Sequence, residues 1–146
     1  MLSRNIFFYK NLSLKDTYET RIYLIFFHYA VILFISKKRG IKPDQDNYNN
    51  LFYFIENNLR ELGFGDVSVN KKMKDLNKIF YDILLKINTK KDGFTLSKNL
   101  SIKYFENLKD NDKKWVNFDE YFKKYYNFCF ELSDNNMIKE LQNYKF

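Results

Sequence analysis

The chain has one cysteine, one histidine, one proline, one tryptophan and four glycines in 146 residues. A lone cysteine excludes an intramolecular disulfide framework and any multi-cysteine zinc or iron–sulfur site. A lone histidine excludes the two-histidine metal motifs. So little glycine and proline leaves little for Gly-rich phosphate loops or the dense turns of an all-β domain. Arginine is also scarce, with 4 residues against 21 lysines. The guanidinium fork is the preferred reader of base edges, so no DNA partner is expected. No metal-ligand spacing is present, and no cofactor is expected.

Aromatics are abundant: 16 Phe and 12 Tyr exclude an intrinsically disordered chain. The length fits one domain, which can bury roughly two-thirds of its unfolded surface without a staple. Lys, Asn, Ile, Phe and Tyr share AT-rich codons, and alanine occurs only once, so part of the net charge of +7 reflects codon usage. The charge is nevertheless uneven. Residues 1–50 carry 8 basic and 4 acidic groups, 51–100 carry 9 and 6, and 101–146 carry 8 and 8. Such a field suits an anionic surface: ribosome, membrane headgroups or an acidic partner. The opening MLSRNIFFYK is not followed by a small-residue cleavage site, and the single thiol fits a reducing compartment. A cytoplasmic location is expected, including the possibility of a peripheral position at the cytoplasmic face of the inner membrane.

Residues 22–35, IYLIFFHYAVILFI, contain no formal charge. A membrane span needs about 20 residues, so a buried core helix is the favoured reading and membrane contact the other. Asp16 followed three residues later by Glu19 resembles a capping box, and Lys37, Lys38, Arg39 and Gly40 suit the helix's end. A second helix is predicted over 46–62, where Tyr48, Leu51, Phe52, Ile55, Leu59 and Leu62 recur at steps of three and four. Gly63 is its natural stop, and GFGDVSV reads as a tight interhelical turn with Gly63 and Gly65 structural. No Gly-Lys-Ser or Gly-Lys-Thr follows, so a phosphate loop is disfavoured. Asp66 or Ser68 is the expected next N-cap.

The third helix, over 69–88, has the cleanest period: Val69, Met73, Leu76, Phe80, Ile83 and Ile87. Lys71, Lys72, Lys74 and Lys78 lie off that stripe, either as a solvated face or as a hold on an anionic partner. NTKKDGF reads as a turn around Gly93, followed by a helix near 97–108 and a charged loop, LKDNDKK. Asn117 with Glu120 is a cap pattern for a helix bearing Tyr121, Phe122, Tyr125, Cys129 and Leu132. Ser133 or Asp134 can cap a last short helix through Met137, Leu141 and Tyr144. The fold class is all-α, a single compact domain of five to six helices.

Catalytic residues are hard to assemble. His28 lies in the most apolar helix and reads as a core histidine bonded to a hydroxyl or carbonyl. Cys129 shares a face with Tyr125 and Leu132 and reads as a buried, inert thiol. Arg60 ends the second helix, with a salt bridge to Asp66 across the turn as the structural reading.

Taken in order, these residues form a recognisable string. FYKNLSLKDTYETRIYLIFFHYAVIL followed by LRELGFGDVSVNKKMKDLNKIFYDIL resembles the ubiquinol–cytochrome c chaperone family over about residues 7–108. The resemblance rests on Phe8-Tyr9, Asp16, Arg21, His28, Leu59-Arg60-Glu61, Gly63, Gly65-Asp66 and Lys71-Lys72. That family covers mitochondrial assembly factors of respiratory complex III and bacterial relatives of unassigned role. The resemblance implies an all-α binder that acts without chemistry on newly made cytochrome b, with a small partner subunit and the ribosome as associates. Arg21, His28, Arg60, Glu61, Asp66, Lys71, Lys72 and Lys74 are then the partner-binding candidates. Two other readings stay open. One is a basic adaptor that binds RNA or the ribosome without a cytochrome client. The other is a small enzyme built on His28 or Cys129.

Overall fold

The computed structural model describes residues 2–90, 93–133, 140, 141 and 144. After a one-turn 3-10 helix at Leu2–Arg4 come α1 (Ile6–Lys10), α2 (Tyr18–Lys38), α3 (Gln45–Glu61) and α4 (Asp66–Lys86). A short hairpin, β1 (Asn88–Lys90) and β2 (Gly93–Thr95), leads to α5 (Lys98–Tyr104), a second 3-10 turn at Glu106–Leu108 and α6 (Asp112–Glu131). The fold is all-α with this one small exception. Two short strands flank the turn expected of NTKKDGF, with Asn88 paired to Thr95 and Lys90 to Gly93, too short to show an alternating pattern. Of the proposed last helix, 134–139 and 142–143 lie outside the described residues.

The helices begin and end on local chemistry. The α2 N-cap is Thr17, whose hydroxyl accepts from the Thr20 amide at 3.2 Å. Asp16 does not cap. Its carboxylate accepts the Arg21 fork, Nε to Oδ1 at 2.7 Å and Nη2 to Oδ2 at 2.9 Å. Asp44 caps α3, accepting from the Asp46 amide at 2.9 Å. Helix α6 starts at Asp112 on an Asn111 cap, so the expected start at Asn117 is one and a half turns late. Asn111 was masked by the charged run around it. The α4 N-cap is Gly65, with no side-chain bond, and not Asp66 or Ser68.

Two helices stop in the same way. Gly40, at φ 70°, and Gly63, at φ 91°, enter the left-handed region. The amides of Ile41 and Phe64 then reach back to Ser36 and Leu59 carbonyls, and those of Gly40 and Gly63 to Lys37 and Arg60. Gly65 differs. Its φ is −72° and an added Cβ would meet nothing within 4 Å, so that position does not require glycine.

The core is one cluster built around α2. Leu24, Phe26, Phe27, Ala30, Val31 and Ile35 are fully enclosed by α4, α6 and the N-terminal turns. The stripe predicted for α4 faces inward, with Val69, Leu76, Phe80, Ile83 and Ile87 buried and Met73 packed at the edge. On one side of α2, Phe26 and Phe80 meet with ring centroids 5.0 Å apart. On the other, Phe27 meets Phe122 at 5.7 Å, and Phe8 meets Tyr121 at 4.7 Å. Edge-on and tilted ring pairs of this kind add about 0.5–1.5 kcal/mol each beyond burial. Half-buried Asp82 ties α4 to α5, accepting from Lys103 Nζ at 2.8 Å, Lys86 Nζ at 2.6 Å and the Tyr104 hydroxyl. Those donors hold its carboxyl well below the usual range.

Urea denaturation should separate the two glycines of the α3–α4 turn. Gly63→Ala should cost about 1 kcal/mol, from the left-handed backbone alone. Gly65→Ser should instead match or exceed the parent by about 0.5 kcal/mol, because it supplies the missing cap.

Candidate functional site

Helix α2 has no polar side, yet its neighbours among the described residues do not cover it completely. Ile25, Tyr29, Ile32 and Ser36 recur at steps of four, three and four and remain half-buried on one face. Three cavities open along that face. The largest, about 890 Å³, is lined by Ile25, His28, Tyr29 and Ile32 of α2, by Leu2–Asn5, and by Leu141 and Tyr144. A second, about 380 Å³, continues past Ile32, Leu33 and Ser36 to Ile41, Pro43 and Leu51. The third, about 390 Å³, extends from Ile25 to Arg4, Arg21, Phe54, Glu61 and Leu62. Ile25 belongs to all three, so they join into one groove. From Arg21 to Ser36 it runs about 22 Å at 1.5 Å per residue. Its walls are mostly apolar, and its ends carry charges of both signs, Arg4, Arg21 and Glu61 at one side and Lys42 and Asp44 at the other.

His28 forms part of the floor. Its Nδ1 lies 2.6 Å from the Leu24 carbonyl, which can only accept, so Nδ1 carries the proton. Nε2 therefore accepts from the Tyr121 hydroxyl at 2.9 Å. Burial pushes the His28 pKa down to about 4, against the opposing pull of the Leu24 carbonyl, and the ring is neutral at pH 7. The reading of His28 as a satisfied core histidine holds, with both a carbonyl and a hydroxyl as partners. Its lone pair is spent inside the chain and is not offered to a partner or substrate. Cys129 is buried, and burial raises its thiol to about 12, far from the range of a nucleophile.

The remaining candidates fall into three places. Arg21 and Glu61 line the groove's third cavity, with Arg21 held by Asp16. Arg60 and Asp66 pair across the α3–α4 turn, and Arg60 also binds Glu56 at 2.9 Å. These carboxylates, Asp66 first, raise the Arg60 pKa. Lys71 and Lys74 stand exposed on α4, and the Lys72 ammonium sits 4.7 Å from the centre of the Phe64 ring. No α4 residue lines the three cavities of the groove. The string that looked continuous in sequence therefore splits between a groove, a salt-bridged turn and an outer helix face. Arg4, Ile25, Tyr29, Ile32 and Phe54 were missed as site residues. The signal that could have found Ile25, Tyr29 and Ile32 is the lack of any polar side on α2.

The family model described as Ubiquinol-cytochrome C chaperone matches residues 10–109. The chain belongs to this family. No curated protein and no solved structure matches it. The matched stretch runs from the end of α1 to just beyond the second 3-10 turn. It contains the α2 and α3 walls of the groove, whereas Tyr121, the partner of His28, lies outside it. Membership supports a chaperone role in complex III assembly and implies a client protein.

Acid titration of stability should carry the mark of His28. The unfolded histidine takes a proton near pH 6.5, whereas the folded one does so near 4. Stability is therefore complete above about pH 6.5 and falls between there and 4 by up to about 1.4 kcal/mol per pH unit. In His28→Leu the slope across that window should flatten, and loss from carboxylates such as Asp82 should begin only at lower pH. An unchanged slope would mean that His28 takes up its proton at the same pH in the folded and unfolded chain.

Proposed function

We propose that this protein is a non-catalytic assembly chaperone that holds newly made cytochrome b during biogenesis of ubiquinol–cytochrome c reductase. The observation that carries this reading is the apolar groove along α2, whose α2 and α3 walls fall in the stretch that matches the chaperone family. A groove lined by residues at helical spacing suits an apolar helix laid lengthwise, the same geometry by which amphipathic grooves capture helices elsewhere. Burial of each large aliphatic side chain contributes about 1.5–3 kcal/mol, so a few such residues give useful affinity without any chemistry. The charged groups at the two ends, Arg4, Arg21 and Glu61 and then Lys42 and Asp44, suit the polar flanks of such a segment. The protein acts in the cytoplasm, peripherally at the face of the inner membrane where its client inserts, with the ribosome or a small partner subunit nearby.

The test is the reduced-minus-oxidised haem b spectrum of membranes from cells with and without the gene. Loss of the complex III cytochrome b signal is expected. Ile25→Glu and Ile32→Glu should reproduce that loss while the purified proteins keep their helical circular dichroism, because each carboxylate enters the groove at a half-open position. A normal haem b signal in the deletion strain would end the cytochrome b reading.

A further inference from the structure

The outer side of α4 carries a second pattern, directly opposite its buried stripe. Val67, Lys71, Lys74, Lys78, Tyr81 and Leu85 follow steps of four, three, four, three and four. They line up along a single edge of the helix. Val67 is 85% exposed, Leu85 80% and Tyr81 55%, and the three lysines are exposed as well. Lys71, Lys74 and Lys78 form no ion pair among the described residues. Asp75 flanks the stripe, whereas Asp66 and Asp82, the other acidic groups of α4, are engaged by Arg60 and by Lys86 and Lys103. From Val67 to Leu85 the stripe spans about 27 Å at 1.5 Å per residue.

We propose that this edge docks an acidic helix of a protein partner. Carboxylates at the centre of that helix face Lys71, Lys74 and Lys78, and apolar residues near its ends cover Val67 and Leu85. The arrangement of charge selects this occupant. A lipid surface would hold the long lysines at its headgroups and so keep the shorter Val67 and Leu85 side chains on the same edge from reaching the acyl region. A second copy of the chain, packed edge to edge about a twofold axis, would set lysine against lysine. A nucleic acid would use the lysines and leave Val67 and Leu85 uncovered. An acidic helix of about five turns satisfies both the charged centre and the apolar ends. No α4 residue lines the three cavities of the α2 groove, and only Tyr81 of the stripe borders it, in a small pocket shared with Tyr29, Leu33 and Pro43, so the lysine edge can be tested separately from the client's identity.

The probe is a fluorescein-labelled 21-residue helical peptide with three glutamates at central contact positions and a leucine at each end, titrated with the full chain. Saturable anisotropy is expected, weakening about tenfold between low and moderate salt as exposed ion pairs are screened. The triple change Lys71→Glu, Lys74→Glu, Lys78→Glu should lower affinity at least about tenfold and bind instead the peptide with lysines in place of glutamates. Val67→Asp and Leu85→Asp should each weaken binding by about threefold or more, with circular dichroism and Tm unchanged. Absence of peptide binding, or equal binding by the triple variant, would overturn the proposal. So would capture of an RNA oligonucleotide or anionic vesicles that depends on the lysines but ignores Val67→Asp and Leu85→Asp.

Discussion

Between residues 22 and 35 the chain offers no charged side chain, so α2 has no face that water can fully satisfy. Every other element is arranged by the need to cover it. Helix α4 closes one side with Phe80, α6 closes another with Phe118, Phe122 and Tyr125, and the N-terminal turns bring in Phe8. By length and composition α2 could cross a membrane, yet eight of its residues are buried in the protein's own core. What distinguishes it from an ordinary core helix is the stripe from Ile25 to Ser36 that the neighbours leave half-open. The groove is thus the unfinished part of the burial that forms the fold. In the proposed function, stability and client capture draw on the same apolar surface.

Several polar groups inside this aromatic core are satisfied by the backbone or a single hydroxyl, whereas the buried Trp115 Nε1 and Tyr125 hydroxyl meet no hydrogen-bond partner among the described residues. His28 takes one partner from its own helix and one from α6, so a neutral imidazole ties two helices without a buried charge. The same interaction removes it from chemistry. Asp82 does the comparable work nearer the surface, where lysines from α4 and α5 can reach it. The α3–α4 turn uses the same economy on the outside. Arg60 neutralises Asp66 at the start of α4, where a carboxylate already suits the helix N-terminus. Residues that look functional in a family string can therefore serve the geometry of a turn.

The fold class, the core role of α2, the inward stripe of α4 and the left-handed stop at Gly63 were legible in the sequence. Each rests on local information: helical period, hydropathy and the conformational freedom of glycine. Capping was less legible, since Asp16, Thr17, Asn111 and Asn117 all have suitable side chains. Only the path of the backbone decides which oxygen meets a free amide and which meets a guanidinium. The hairpin at residues 88–95 was hidden because three-residue strands carry no measurable alternation. The groove was hidden for a different reason. Periodicity can show that Ile25, Tyr29 and Ile32 share a face, but burial depends on how much surface the other helices supply, a balance of areas settled only in three dimensions. By itself the sequence determined one apolar helix that had to be enclosed and the family string around it. The tertiary structure decided which of its faces stayed open, because the surrounding helices cover three sides and the fourth finds no complete partner among the described residues.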